Sequence, residues 1–311
     1  MSDRSLTSGG IASGIAAWAP PPPFAVFDRA GWAAIGRGRA PAGVQPPSGS
    51  PLDAAEWSDV YVPLAHFVGI HLDHRVHLRR QSEADGWRGI GAGPLVVALA
   101  GSVAVGKSTC AHALAALIAA RPEHLAVTVI GTDGFLFTNA ELAARELLMR
   151  KGFPESYDRA LVADVLGRVA LGYGDVEVPR YSHRLYDITD ERVSLGRPDV
   201  LIVEGVNALD PSVADFASLL IYLDAAEAEL RNWFAARFAA LVADAVGDPH
   251  SFFASWAGMS EEQIEALAAT VWESVNAVNL HQHILPTRWR ADVVLRKGAG
   301  HAVTDVAIRL R

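Results

Sequence analysis

Cysteine is nearly absent from this 311-residue chain; Cys110 is the only one. No intrachain disulfide can form, and thiolate metal clusters are excluded. A lone thiol just after a glycine-rich loop reads as a small buried hydrophobe, and a reducing compartment fits it. No apolar run approaches the roughly 20 residues that a membrane-spanning helix needs. Ile11–Pro20 is mildly apolar, but the balanced pair Asp3 and Arg4 precedes it and Pro20–Pro23 stops it. A disordered tail over residues 1–23 is therefore expected in place of a signal peptide. Basic charge is scarce as well: 27 Lys and Arg against 35 Asp and Glu give a formal net charge of −8. Nucleic-acid binding needs a basic face, so it is disfavoured as the main role. The chain is read as cytoplasmic, with no membrane and no nucleic acid as partner.

Apolar material is plentiful, at half of all residues, enough for the core of one large α/β domain or two small ones. Residues 39–51 are rich in Gly, Pro and Ser and read as loop. Phe24–Ile35 reads as a short helix with Asp28 near its start. Within Leu52–Gln81, Trp57, Val60, Tyr61, Leu64, Val68 and His71 follow a three-four spacing, so that stretch is expected to be helical. Pro94–Ala100 is an apolar run ending at glycine, the pattern of a buried parallel strand. Further runs at Ala126–Ile130, Val200–Val203, Leu219–Leu223 and Asp292–Leu295 alternate with helical stretches such as Asp158–Leu171 and Ala225–Ala243. Alternation of this kind predicts an α/β fold, a doubly wound and mainly parallel sheet flanked by helices. Ala302–Leu310 is expected to close the sheet as an edge strand. Pro249–His281 reads as one or two helices capping a substrate site.

Gly101-Ser102-Val103-Ala104-Val105-Gly106-Lys107-Ser108 satisfies G-x-x-x-x-G-K-[ST], the Walker A pattern, between a predicted strand and a predicted helix. Its glycines let successive N–H groups turn onto phosphate oxygens, and the following helix points its positive end there. Lys107 reaches the β and γ phosphates, and the Ser108 hydroxyl can ligate Mg²⁺. Asp133 lies three residues past one apolar run, and Glu204 ends another. In open α/β sheets ligands bind beyond the carboxyl ends of strands, so both acids are site candidates, Glu204 as a Walker B-like metal ligand. No N-K-x-D sequence occurs, which disfavours a GTPase. These residues alone leave the acceptor of a phosphoryl group open, and also leave open a nucleotide-binding regulator without turnover.

The order of motifs resembles a known family. GSVAVGKST (101–109), TDGFL (132–136), KGFPESYD (151–158), YSH-x-x-YD (181–187), VEGVN (203–207) and ILPTR (284–288) follow one another as in the bacterial type I pantothenate kinases. These belong to the P-loop kinases that include uridine kinase and phosphoribulokinase. The resemblance implies a cytoplasmic homodimer that uses ATP and Mg²⁺ to phosphorylate pantothenate, the first step of coenzyme A synthesis, with coenzyme A as a feedback inhibitor. It implies one kinase domain over 24–311: an N-terminal helical segment (24–90), a nucleotide-binding core (94–224), a helical cap (225–285) and closing strands (291–311). Asp133 matches the acid beside the substrate hydroxyl, and Thr109 extends the nucleotide loop. Tyr181, His183, Tyr186 and Arg237 match substrate-pocket residues, and His301 matches a residue near the adenine. Arg237 is one helical turn from Trp233, placing it against an aromatic face. Four positions depart from the pattern. Phe234 replaces a tyrosine and His283 an asparagine that contact pantothenate. His112 replaces an arginine, and Leu241 an aromatic or methionine, tied to the substrate pocket and to coenzyme A. The adenine-side segment Gly43–Pro51 is also rewritten.

Overall fold

Seven consecutive buried residues, Leu95–Gly101, form the strand on which the site is built. The computed structural model of the chain describes residues 20, 21, 23–41, 44–46, 49–87 and 89–310. The tail expected over 1–23 lies almost wholly outside the described residues, as does part of the rewritten 43–51 segment. In chain order the strands are β1 (Phe24–Asp28), β2 (Leu95–Gly101), β3 (Val127–Gly131), β4 (Glu177–Ser182), β5 (Asp187–Ser194), β6 (Val200–Glu204), β7 (Leu219–Ala225), β8 (Val293–Lys297) and β9 (Val303–Arg309).

The main sheet has the order β1-β9-β8-β7-β2-β6-β3. Strands β8, β7, β2, β6 and β3 are parallel, whereas β9 is antiparallel to both β8 and β1. Val, Ile and Leu dominate the five parallel strands, because strands covered on both faces cannot alternate with polar residues. Helix Lys107–Ala119 packs on β2, β3 and β6. From β2 the chain crosses to the far strand β3, returns to β6, and then passes to β7 on the other side of β2. The order thus reverses at β2, and a crevice opens beyond its carboxyl end.

Two expectations are corrected at the other edge. Phe24–Ile35 is not one helix: Phe24–Asp28 is β1, and the helix is Arg29–Gly36, capped by the Asp28 side chain accepting from the Gly31 N–H. Ala302–Leu310 does contain strand β9, but it is not the edge, because β1 covers it. Pairing with β1 satisfies backbone groups that β9 would otherwise expose, and this outweighs the local pattern. The hairpin β4–β5, a separate two-stranded sheet, was not expected, since EVPRYS and DITDERVS contain no apolar run. Above the sheet, helices Glu227–Asp244 and Glu261–Val271 pack together around Phe238, Val242, Phe253 and Ala268. The second continues through two wide i→i+5 turns, Trp272–Asn276 and Leu280–Ile284.

Candidate active site

The loop after β2 is shaped by backbone that side chains disfavour. Gly101 has φ +152°, and a Cβ there would lie 2.6 Å from the Leu223 carbonyl oxygen. Gly106 has φ +92° and begins helix Lys107–Ala119 without any side-chain cap. The first N–H groups of that helix therefore present an anion-binding end. Lys107 Nζ donates to the Ser102 carbonyl at 2.8 Å, folding the lysine back over the loop. Burial lowers its ammonium from the usual value; Glu204 and Asp133 oppose this, and Arg237 adds to it. The Ser102 hydroxyl is buried and has no hydrogen-bond partner among the described residues. Beneath the loop, the buried Lys297 Nζ donates to the Val105 carbonyl at 3.1 Å. Cys110 is packed in the core, where burial pushes its thiol up to about 12.

The sheet register brings the two acids together. Glu204 stands opposite Leu99 on one side and Gly131 on the other. Its carboxylate accepts from the Ser108 hydroxyl at 2.6 Å. Asp133 follows on the turn Thr132–Phe135, which packs against Gly205; a Cβ at Gly205 would meet Thr132 Oγ1 at 1.7 Å. Among the described residues no group of three or more His, Cys, Asp or Glu side chains is arranged for a metal. A pair such as Ser108 and Glu204 nonetheless suits magnesium, which keeps several waters and takes phosphate oxygens beside one or two protein ligands.

KGFPESYD is laced to TDGFL and the residue after it by backbone bonds from Asp158 N–H to the Phe135 carbonyl and from Phe137 N–H to the Ser156 carbonyl. The Gly152 carbonyl accepts from the amides of Asn207 (2.9 Å) and Asn279 (2.8 Å), so three distant segments meet there. Lys151 is thereby carried over the rings of Tyr186 (4.4 Å) and Tyr181 (5.2 Å). Burial brings its ammonium down to about 8, against the opposing charges of Asp187 and Asp133. Burial, and then Asp133, push the Tyr186 hydroxyl up; burial and Tyr186 do the same for Tyr181, with Asp133 adding to it. Both phenols stay protonated as hydrogen-bond donors. His183 meets Tyr181 edge to face at 5.2 Å, and Tyr186 stacks on Phe252 at 4.6 Å.

Beside the loop a cleft of about 590 Å³ is lined by Asp53, Thr109, Trp233, Arg237, Lys297 and His301, among others. His301 (φ +66°) stacks on Trp233 with ring centroids 3.8 Å apart. His301 thus covers one face of Trp233, the ring expected to lie beside Arg237. Burial and then the Lys297 charge hold the His301 imidazole below its usual range, so the stacked ring is neutral at pH 7. Arg237 is exposed at the cleft wall, and its charge reaches both Lys107 and Tyr186. Phe234 packs between Phe238 and Trp272 in the cap. His283 lies edge-on to Phe153 at 5.8 Å, and its buried Nε2 has no partner among the described residues. His112 Nδ1 lies 2.7 Å from the Ser108 carbonyl, and Leu241 packs into the cap cluster.

The family model "PRK: Phosphoribulokinase / Uridine kinase family" matches residues 96–233. A pantothenate kinase of Rhizobium rhizogenes is 41% identical over 274 residues, covering 84% of this chain and 83% of that one. One from Sorangium cellulosum is 43% identical over 266 residues, covering 83% and 86%. The chain belongs to the bacterial pantothenate kinase family. Among solved structures, D-glycerate 3-kinase from Cryptococcus neoformans is similar at a TM-score of 0.49 and 15% identity, over 75% of this chain and 95% of that one.

The structure brings Lys107, Ser108, Asp133 and Glu204 to one end of β2, β3 and β6. Tyr181 and Tyr186 stand beside them through Lys151 and Asp133. Phe234 and His283 sit further into the cap contacts. Sequence reasoning gave no role to Lys151, Lys297 or Asn139. Lys151 opens the KGFPESYD motif, and that was its only signal. Lys297 meets Val105 across 192 residues, a contact no local pattern encodes.

Proposed function

We propose that this kinase transfers the terminal phosphoryl group of ATP to the hydroxyl of pantothenate, giving 4'-phosphopantothenate at the start of coenzyme A synthesis. The observation that carries this reading is the meeting of Lys107, Lys151, Tyr181 and Tyr186 around Asp133 in a chain of this family. Ser108 and Glu204 are the residues that would hold a magnesium ion, which would supply charge neutralisation on the transferred group. Lys107 and the loop N–H groups stabilise negative charge at the phosphates. Asp133 orients the acceptor hydroxyl and takes its proton as the oxygen–phosphorus bond forms. Lys151 adds a second cation on the acceptor side, and the Tyr181 and Tyr186 hydroxyls, His183, Phe234, Arg237 and His283 line the acceptor pocket. Gly101–Thr109 and the Trp233–His301 stack hold the nucleotide.

The same reading takes the protein as a cytoplasmic homodimer inhibited by coenzyme A; no helix among the described residues is long and apolar enough to cross a membrane. A sedimentation mass of one chain would refute the dimer, inhibition unaffected by ATP concentration would refute coenzyme A competition at the cleft, and a membrane-bound cell fraction would refute the location. The deciding experiment is ATP consumption with pantothenate against a panel of hydroxy acids, nucleosides and sugars. Pantothenate is expected to give the highest kcat/KM. A preference for another compound assigns the acceptor elsewhere, a result that Phe234 and His283 make worth testing.

A further inference from the structure

Asn139 lies three residues beyond TDGFL, half-buried at the first turn of helix Asn139–Ala144. A capping box between Thr138 and Glu141 fixes that helix start. Three of its polar groups reach toward the acceptor side of the site. Its backbone N–H donates to Asp187 Oδ1 at 2.9 Å. Its amide Nδ2 donates to the Tyr186 carbonyl at 3.1 Å, and its Oδ1 accepts from Lys151 Nζ at 2.7 Å. The Lys151 ammonium also donates to that same Tyr186 carbonyl. Tyr186 has φ +54°, a left-handed conformation that a side chain disfavours and that surrounding contacts must hold.

We infer that Asn139 is a positioning residue whose single carboxamide fixes both the Lys151 ammonium and the left-handed backbone of Tyr186, and so arranges the acceptor side of the site. A carboxamide carries a donor and an acceptor on one plane, which this double contact requires. Aspartate would still accept from Lys151 but would set an anionic oxygen against the Tyr186 carbonyl. Alanine would lose both contacts. The groups facing the Lys151 ammonium are Asp133 from the turn after β3, Asp187 from β5, Tyr181 from β4 and Tyr186 from the hairpin turn. Asn139 adds a neutral side-chain acceptor beside the Tyr186 carbonyl, so its replacement changes the proton affinity of Lys151 in a direction set by the substituent. The kinetic half of this inference rests on the proposed phosphoryl transfer; the structural half does not.

The test follows the lysine side-chain nitrogen resonances of the full chain by NMR across pH, with Lys151 assigned by loss of its signal in Lys151→Arg. The wild type should titrate near pH 8. Asn139→Ala should lower the midpoint by roughly half a unit to one unit, and Asn139→Asp should raise it by about one unit or more. The alkaline fall of kcat with pantothenate should move with the midpoint. KM for pantothenate should rise about tenfold in both variants, since Tyr186 loses its amide donor in each. An unmoved midpoint in both folded variants overturns the inference. Midpoints that move while the kcat profile stays put uphold the positioning contact and remove Lys151 from the transfer reading. A wild type that ignores pantothenate refutes the proposed acceptor, and the NMR titration still decides the role of Asn139.

Discussion

Gly205→Ala tests how closely the two catalytic-side carboxylates depend on one glycine. The added Cβ would lie 1.7 Å from Thr132 Oγ1, 2.7 Å from its Cβ and 2.9 Å from its Cγ2. Ordinary contact begins at 3.4 Å, so the two segments must part by about 1.7 Å. Gly205 N–H is bound to the Leu99 carbonyl of β2 at 3.0 Å, which anchors that side in the sheet. The turn Thr132–Phe135 must therefore give way, and Asp133 moves with it. Overpacking of this kind costs about 1–3 kcal/mol. At roughly 2–4 °C per kcal/mol for a chain of this size, Tm should fall by several degrees. A displacement of about 1 Å at a reacting group costs about 10²-fold in rate, so kcat should fall by at least that much. ATP affinity should change far less, because the three atoms nearest the added Cβ all belong to Thr132 and none to the loop Ser102–Gly106. The assays are calorimetry, nucleotide titration and steady-state kinetics with pantothenate. Adding Thr132→Gly removes all three clashing atoms and should restore part of the rate. Wild-type kcat and Tm in Gly205→Ala would refute the reasoning.

Lys107→Ala should abolish measurable turnover while leaving the circular dichroism spectrum intact, because the lysine meets charge that grows in the transition state; a folded variant with normal kcat refutes that role. Asp133→Asn should keep ATP binding within a few-fold and lower kcat by about 10²-fold or more; a collapse of ATP affinity with turnover retained at saturation would make Asp133 a nucleotide or metal ligand instead. Phe234→Tyr combined with His283→Asn adds a phenol hydroxyl and exchanges an imidazole for an amide in the proposed acceptor pocket. If each satisfies a buried partner, KM for pantothenate should fall by about tenfold or more with ATP kinetics unchanged, and an unchanged KM would show that neither position touches the acceptor.

The nucleotide half of this protein was legible from local sequence, because its determinants are local. Five of the seven main-sheet strands announced themselves as short apolar runs, since a strand covered on both faces has no polar alternation to blur it. Gly101 and Gly106 carry backbone conformations that few other residues tolerate, so the loop shows in the residue types themselves. Asp133 and Glu204 could be named because the ends of parallel strands are where such sheets bind ligands.

Tertiary structure decided whatever depends on partners far apart in the chain. Phe24–Asp28 carries strand-favouring Phe and Val, but five residues running straight into a helix read equally as that helix's first turn, and pairing with the open side of β9 makes them a strand. The β4–β5 hairpin is mostly polar and half-exposed, so no hydrophobic period marks it. Yet it holds Tyr181 and Tyr186 beneath Lys151. The Trp233–His301 stack, the Lys297–Val105 contact and the meeting of Asn207 and Asn279 at the Gly152 carbonyl each join segments more than 50 residues apart. A hydrogen bond or a stacked ring is short-ranged and directional, so its partner is chosen only when the sheet order has brought the segments together. The sequence therefore determined which residues can bind phosphate, and the packing of the whole chain determined which of the others stand beside them.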